Sequence, residues 1–276
     1  MIAAIVGIGR TPFTSGVDVS APALAAEAIA AALRDAGRTL DEVDGVVRFD
    51  RQPLWEYDLP GVMRLHGLHV YAAVPDAPGS APALIRLATT AVRQGLGRVI
   101  VAYHARADAR PALAADVQEV PGDGDEPGCP VQGGCALVIE VRDAASAGAV
   151  RVLGSMQAAI PSAARHLEAW RGSRDAGVVG DAARRMYAAA GIRAADVDVA
   201  CLYAHPGALV RLARDDFSLP EGTRVNPHAG GPDAAALDGM DDLVEAVRQV
   251  RGGARVALVA GSPLDPTSAV LLGAPA

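Results

Sequence analysis

The feature that most constrains this chain is an internal repeat. Residues 36–49, AGRTLDEVDGVVRF, and residues 190–203, AGIRAADVDVACLY, both end a helical pattern at Ala-Gly, cross an acidic turn and enter an apolar run after Val-Asp. Their offset is constant at 154. Residues 91–102, AVRQGLGRVIVA, return over 246–260 as AVRQVRGGARVALVA, at an offset that begins at 155 and grows to 157 in the strand. Chance likeness between alanine-rich helices would not reproduce helix, turn and strand in the same order twice, so the matches predict a duplicated α/β unit. Each copy should hold a mixed sheet with helices on its faces, the two stacked about a pseudo-twofold axis. The halves are expected at 1–141 and 142–276.

Hydrophobic periodicity fills in the elements. Ala4–Ile8 reads as a buried strand. Ser20 and Pro22 then open a helix whose stripe is Leu24, Ala25, Ile29 and Leu33, closed by Gly37. Val43–Phe49, Arg98–Tyr103, Cys135–Val141, Val150–Ser155, Val197–Tyr203, Arg255–Ala260 and Ala269–Leu272 read as strands. Helices are expected over 80–94, 177–190, 208–214 and around 243–250. Between 50 and 75, Pro53, Pro60 and Gly61 break the pattern, and Met63, Leu65 and Leu68 suggest a short helix. Residues 105–134, rich in acidic residues, Pro and Gly, read as a long excursion from the first half.

Composition excludes several classes. With 51% hydrophobic and 21% charged residues in 276, a globular core is easily supplied. Aromatics are only 4%, so that core must be Ala, Val, Leu and Ile. The net charge of -7 and the lack of a basic stripe interleaved with aromatics argue against a nucleic-acid partner. No apolar run reaches the length of a membrane span. Ile2–Val6 follows no basic region and precedes no cleavage site, so it reads as a first strand and not a signal peptide. Cys129, Cys135 and Cys201 make no disulfide framework, and a reducing cytoplasm is expected.

Few residues carry chemistry in a recognisable pattern. Tyr203-Ala204-His205-Pro206-Gly207 follows a strand and precedes a short helix, so its side chains can meet a cleft between the halves. Tyr203 or His205 could serve as the base of a proton transfer; a tyrosine packed at a sheet edge and a histidine satisfied by backbone groups is the competing reading. His104, beside Tyr103, ends a strand of the kind that borders sites in α/β sheets, but a satisfied loop histidine is the favoured reading. His66 and His69 are three apart but have no third ligand, and no metal is assigned. Gly7-Ile8-Gly9 follows a strand without completing GxGxxG, so no nucleotide site is expected.

The opening Ala4-Ile5-Val6-Gly7-Ile8-Gly9-Arg10-Thr11-Pro12-Phe13 resembles that of the thiolase superfamily. Val225-Asn226 followed by Gly230-Gly231, and Val244–Gly252, are similar to that family's second half, as is Ala190–Tyr203 to its helix-turn-strand ahead of a Tyr-Asp pair. The closest branch looks like the sterol-carrier thiolases and the acyl-CoA aldolase subunits. The resemblance implies a five-layered αβαβα fold, usually dimeric, acting on acyl-CoA or acyl-carrier thioesters, with no cofactor beyond a possible coenzyme A thioester substrate. In this branch a subunit often pairs with a small OB-fold, zinc-ribbon protein, so a homodimer or a heteromeric complex is implied.

The chain also departs from the family. Pro78 stands where the nucleophilic cysteine would be, and nearby Ser80 reads as a helix N-cap. The loop NPHAGGPDAAALDGM over 226–240 lacks the Gly-His-Pro motif; Asp233 or Ala234 sits near the place of its histidine, and His228 lies earlier. Gly261-Ser262-Pro263 replaces Cys-x-Gly. Ala204 replaces the Asp of the Tyr-Asp pair, and the excursion at 105–134 is short beside the family's loop domain. Three roles follow. The first is a degenerate thiolase-like subunit that binds or helps process an acyl thioester without cysteine-based Claisen chemistry. The second is an active retro-aldolase or acyltransferase using Tyr203, with His205 and His228 as further candidates. The third is a purely structural assembly subunit.

Overall fold

The computed structural model describes residues 2–14, 18–50, 63–65, 67–75, 79–107, 132–142, 148–159, 177–203, 207–227, 237–262 and 267–274. His66, Pro78, Cys129, His205, His228, Gly230, Gly231, Asp233 and Ala234 lie outside them, as does most of the 105–134 excursion.

Among the described residues, ten strands form one mixed sheet: β1 (Ile2–Arg10), β2 (Gly45–Phe49), β3 (Val70–Val74), β4 (Val99–Arg106), β5 (Gly133–Arg142), β6 (Val150–Ala158), β7 (Val199–Leu202), β8 (Arg224–Val225), β9 (Val256–Ala260) and β10 (Thr267–Gly273). Five helices accompany them among the described residues: α1 (Ala21–Ala36), α2 (Ala81–Arg93), α3 (Val178–Ala190), α4 (Gly207–Asp216) and α5 (Met240–Arg251). The strand order is β3-β2-β4-β5-β1-β6-β10-β9-β7-β8, which reads the same inward from either edge once β6 to β10 are matched to β1 to β5. Pairing senses match as well. β2 is parallel to β3 and β4, and β7 is parallel to β8 and β9, while β5 and β10 are antiparallel to both their neighbours. The copies join where β1 and β6 run antiparallel, Ala4 opposite Arg151 and Ile5 opposite Val150.

The repeated sequences build the same local structure twice. Gly37 and Gly191, at φ 63° and 66°, end α1 and α3 in the left-handed conformation that glycine takes without penalty. In each copy the next amide then bonds back to a helix carbonyl, Arg38 to Leu33 and Ile192 to Tyr187. A 3-10 turn follows, Leu40–Glu42 in one copy and Ala194–Asp196 in the other. The aspartate of each Val-Asp then clamps a neighbouring strand. Asp44 accepts from the amides of Arg98 (2.8 Å) and Val99 (2.9 Å), and Asp198 from that of Arg255 (2.8 Å).

Helices occupy three layers with a half-sheet between each pair, which is the αβαβα arrangement. α1 covers the outer face of the first half, where Leu24, Ile29 and Leu33 meet Val46, Val101 and Tyr103. α3 and α4 cover the outer face of the second, with Met186 and Phe217 against Leu258 and Leu271. α2 and α5 lie between, and their Leu84, Ile85, Leu243 and Val247 share one core with Ile100 and Leu137 of the first half and Val259 and Leu272 of the second. Strands covered on both faces are apolar throughout, which is why they were recognisable as short runs. Gly7 and Gly9 serve packing: a Cβ at either would meet a carbonyl oxygen of α1, Ala32 or Ala28 respectively.

Met63 is helical, but the short helix expected from Met63, Leu65 and Leu68 does not reach Leu65 or Leu68, and the strand β3 follows them. Ser20 caps α1 through a bond from the Ala23 amide. Ser80 stands at the N-cap of α2 without a capping bond, and its hydroxyl donates to the Pro75 carbonyl at 3.3 Å.

Candidate functional site

The ends of β4, β7 and β9 converge on the starts of α2 and α5, where the two halves meet. Strand alternation sets what points inward. In β4, Ile100 and Ala102 belong to the inner core, while Val101, Tyr103 and Ala105 belong to the outer one. The same parity turns His104 and Arg106 toward the inner layer and Tyr103 away from it, toward α1. Tyr103 therefore does not border the cleft, contrary to the expectation from its place at a strand end. In β7, Val199 and Cys201 are inner residues, and Tyr203 continues their side one residue past the strand.

Tyr203 is held from both directions. Its amide donates to the Ala260 carbonyl at 2.9 Å. Asn226, in the left-handed region at φ 45°, lays its side chain along the end of β7, accepting from the Leu202 amide (2.6 Å) and donating to the Leu202 carbonyl (3.0 Å). An amide side chain thus acts as one more strand partner immediately before the tyrosine. Beneath the ring is Gly79, where a Cβ would come within 2.8 Å of Tyr203 Cγ and 2.5 Å of the Ser262 amide nitrogen.

Charge enters from both halves. Asp238, at φ 51° just before α5, brings Oδ2 to 2.8 Å from Arg106 Nη2 and 3.2 Å from His104 Nε2. The His104 ring packs edge-on against Phe49, centroids 4.8 Å apart. Asp241 and Asp242, both buried, sit in the first turn of α5, where the helix N-terminus favours negative charge. Burial, reinforced by Asp238, Asp242 and Asp241 and only partly offset by Arg106, pushes the Tyr203 phenol well above its ordinary range. The hydroxyl therefore keeps its proton through neutral pH.

The cysteines offer no alternative nucleophile among the described residues. Cys135 and Cys201 are fully buried, and desolvation raises both thiols, helped by Asp241 at Cys135 and by Asp242 at Cys201. No group of three or more His, Cys, Asp and Glu able to hold a metal occurs among the described residues. His69 is exposed, away from the cleft residues. No helix among the described residues is long and apolar enough to cross a membrane.

The raised phenols have a measurable consequence. Tyr103, Tyr187 and Tyr203 all ionise above the ordinary tyrosine range, chiefly through burial. Each binds its proton more tightly folded than unfolded, so its contribution to stability is intact below about pH 10 and is lost as the pH rises further. An ultraviolet titration of tyrosinate absorbance should show these three ionising together with alkaline unfolding. Smooth ionisation of every phenol near pH 10 in the folded state would contradict it.

Comparison with known proteins agrees with the architecture. No protein-family model matches the chain. The solved structure called Ltp2-ChsH2(DUF35) aldolase superposes with a TM-score of 0.79 at 22% identity, covering 99% of this chain and 98% of that one. The fold is thiolase-like. A monomeric SCP2-thiolase like protein from Mycobacterium smegmatis gives a TM-score of 0.76 at 16% identity, over 99% of this chain and 77% of that one. Among curated proteins, the 17-hydroxy-3-oxo-4-pregnene-20-carboxyl-CoA lyase of Mycobacterium tuberculosis is 37% identical over 103 residues, which are 37% of this chain and 27% of that protein. A steroid side-chain-cleaving aldolase of Thermomonospora curvata is 35% identical over 103 residues, 37% of this chain and 26% of that protein. The matched segment thus spans about a quarter of each curated relative. The likeness to solved structures shows the fold, and the likeness to the two curated proteins is confined to the matched segment.

Tyr203, which its place after a strand marks in the sequence, sits beside Gly79 where the two halves meet. Sequence reasoning passed over Asp238 and Arg106, which no motif marks, and it preferred an ordinary loop role for His104.

Proposed function

We propose that this chain is a thiolase-like subunit that handles an acyl thioester without a cysteine nucleophile, in company with a partner protein. The observation that carries the reading is the set of groups gathered where the halves meet: Tyr203, His104, Arg106 and Asp238 stand around the start of α5, while the described cysteines are buried thiols. A charged, polar cleft also speaks against a purely structural role, for which an apolar filling would serve better.

Within that reading, retro-aldol cleavage of a β-hydroxyacyl thioester is the reaction the cleft fits best. Such a cleavage needs a base for the hydroxyl proton and a donor to the enolate oxygen that develops on the thioester. Tyr203, kept protonated by its surroundings, supplies the donor. The names of the two curated relatives, a carboxyl-CoA lyase and a side-chain-cleaving aldolase, support the same class of substrate. The shortness of the 105–134 excursion beside the family's loop domain favours a second chain to complete the site, and a small OB-fold, zinc-ribbon protein is the partner proposed.

The test is to purify the chain alone and with whatever co-purifies from its native host, then offer each acetoacetyl-CoA with free coenzyme A, and separately 17-hydroxy-3-oxo-4-pregnene-20-carboxyl-CoA. Neither preparation should catalyse thiolysis. The complex should cleave the hydroxyacyl thioester, and Y203F should lower kcat/KM by about 100-fold or more, the usual scale for a positioned proton donor. Thiolysis by the isolated chain would overturn the cysteine-free reading. Cleavage undiminished by Y203F would remove the tyrosine from the mechanism.

A further inference from the structure

We propose that His104 is the proton-accepting residue of the cleft, held in its working orientation by Asp238. The inference rests on the retro-aldol reading and gives that reaction its base. His104 comes from β4 of the first half and Asp238 from the segment before α5 of the second, so the pair exists only where the halves meet.

Three observations converge on the ring. Its Nε2 is sealed from solvent and makes no well-formed hydrogen bond among the described residues, with Asp238 Oδ2 standing 3.2 Å from it. Phe49 braces its edge. Arg106, two residues along the same strand face, binds the same carboxylate oxygen at 2.8 Å and fixes Asp238 in turn. A carboxylate facing Nε2 favours the tautomer with the proton on that nitrogen, which leaves the lone pair on Nδ1. This is the logic by which a carboxylate orients an imidazole base and stabilises the imidazolium that forms. Among the described residues, Cys135 is the cross-strand neighbour of His104 in β5, and Arg10, Asp241, Asp242 and Tyr203 lie around Cys135 and Asp238.

The chemistry balances without an added reactant. Nδ1 of neutral His104 takes the proton of the substrate β-hydroxyl. The alkoxide re-forms as a carbonyl, the bond between the α and β carbons breaks, and its electron pair passes to the thioester as an enolate whose oxygen accepts a hydrogen bond from Tyr203. The imidazolium returns the proton to the α carbon. The products are a ketone or aldehyde and the shortened acyl thioester, with His104 neutral again.

The experiment uses the complex with its co-purified partner and 17-hydroxy-3-oxo-4-pregnene-20-carboxyl-CoA as the probe. H104A should lower kcat/KM by about 100-fold or more, and imidazole added to the buffer should restore about tenfold of the loss. H104Q, which keeps a donor toward Asp238 and most of the ring volume, should lose as much but gain nothing from imidazole. D238N should lower kcat by roughly tenfold with little change in KM, again without imidazole rescue, as befits a positioning residue. Circular dichroism and thermal melts confirm that each variant is folded. Wild-type turnover with H104Q equally fast would overturn the His104 assignment and leave the retro-aldol reading standing, and a folded H104A that imidazole fails to restore would also overturn it. Probe binding without cleavage by the wild-type complex would overturn the reading itself, and the base with it.

Discussion

Replacing Gly79 by alanine should be among the most damaging single changes available to this protein. Gly79 has φ +69°, where any other residue is strained. A Cβ there would also lie 2.5 Å from the Ser262 amide nitrogen, 2.8 Å from Gly261 Cα and 2.8 Å from Tyr203 Cγ. Two of these neighbours are backbone atoms of the connection after β9, which cannot swing aside as a flexible side chain would. Ser268 Oγ already reaches the Gly79 carbonyl at 3.4 Å, so the loop is tied from the other side too. The two effects together should destabilise G79A by about 4 kcal/mol or more, at the upper end for a point substitution, and move Tyr203 out of place. Gly95 provides the control. It has nearly the same backbone angle, φ +70°, with open space where the Cβ would go, so G95A should lose only the strain term of about 1 kcal/mol. Urea unfolding of the two variants measures the difference, and equal midpoints would show that the approach of these loops is not tight.

The second large effect concerns the repeated aspartate. Asp44 is buried, and its two oxygens take both main-chain amides at the start of β4 together with the Arg98 guanidinium. Removing it in D44A leaves the Val99 amide buried without that acceptor. Bonds to an ionised acceptor are worth about 1.5–3 kcal/mol each, so the expected loss is about 3 kcal/mol, or roughly 6–10 °C in Tm. Asp198 holds the equivalent Arg255 amide, but its side chain is 29% exposed and water can replace it. D198A should therefore lose only about 1 kcal/mol. Its Arg255 partner, with a smaller part from the backbone amides, holds the Asp198 carboxyl below the usual range. Its contribution is thus full above about pH 4 and fades as the pH falls below that. Thermal melts of the two variants at neutral pH test the ranking. A larger loss for D198A would mean that the two copies carry their load differently.

The parts of this fold that were legible in the sequence are those where local chemistry admits few residues. The turns after α1 and α3 need a left-handed residue, so Gly37 and Gly191 marked both ends and made the repeat visible. The aspartates that receive strand amides were fixed for the same reason. β3 escaped notice because an edge strand with alternate exposure, Val-Tyr-Ala-Ala-Val, carries too weak a pattern after a proline-broken stretch. β8 has only two residues. The cleft was legible at Tyr203, whose place after a strand was plain. His104 was harder because β4 is apolar on both faces, and periodicity cannot say which of Tyr103 and His104 turns inward. Asp238 meets His104 across 134 positions of sequence, and no local rule links residues so far apart.

The placement of α2 and α5 carries one last consequence. Each inner helix rests at once on strands contributed by both copies, so neither copy has a finished core by itself. The molecule is in effect a heterodimer whose two members share one polypeptide. Severed between β5 and β6, the pieces would still need one another, and they should reassemble when mixed because each offers the other its missing wall.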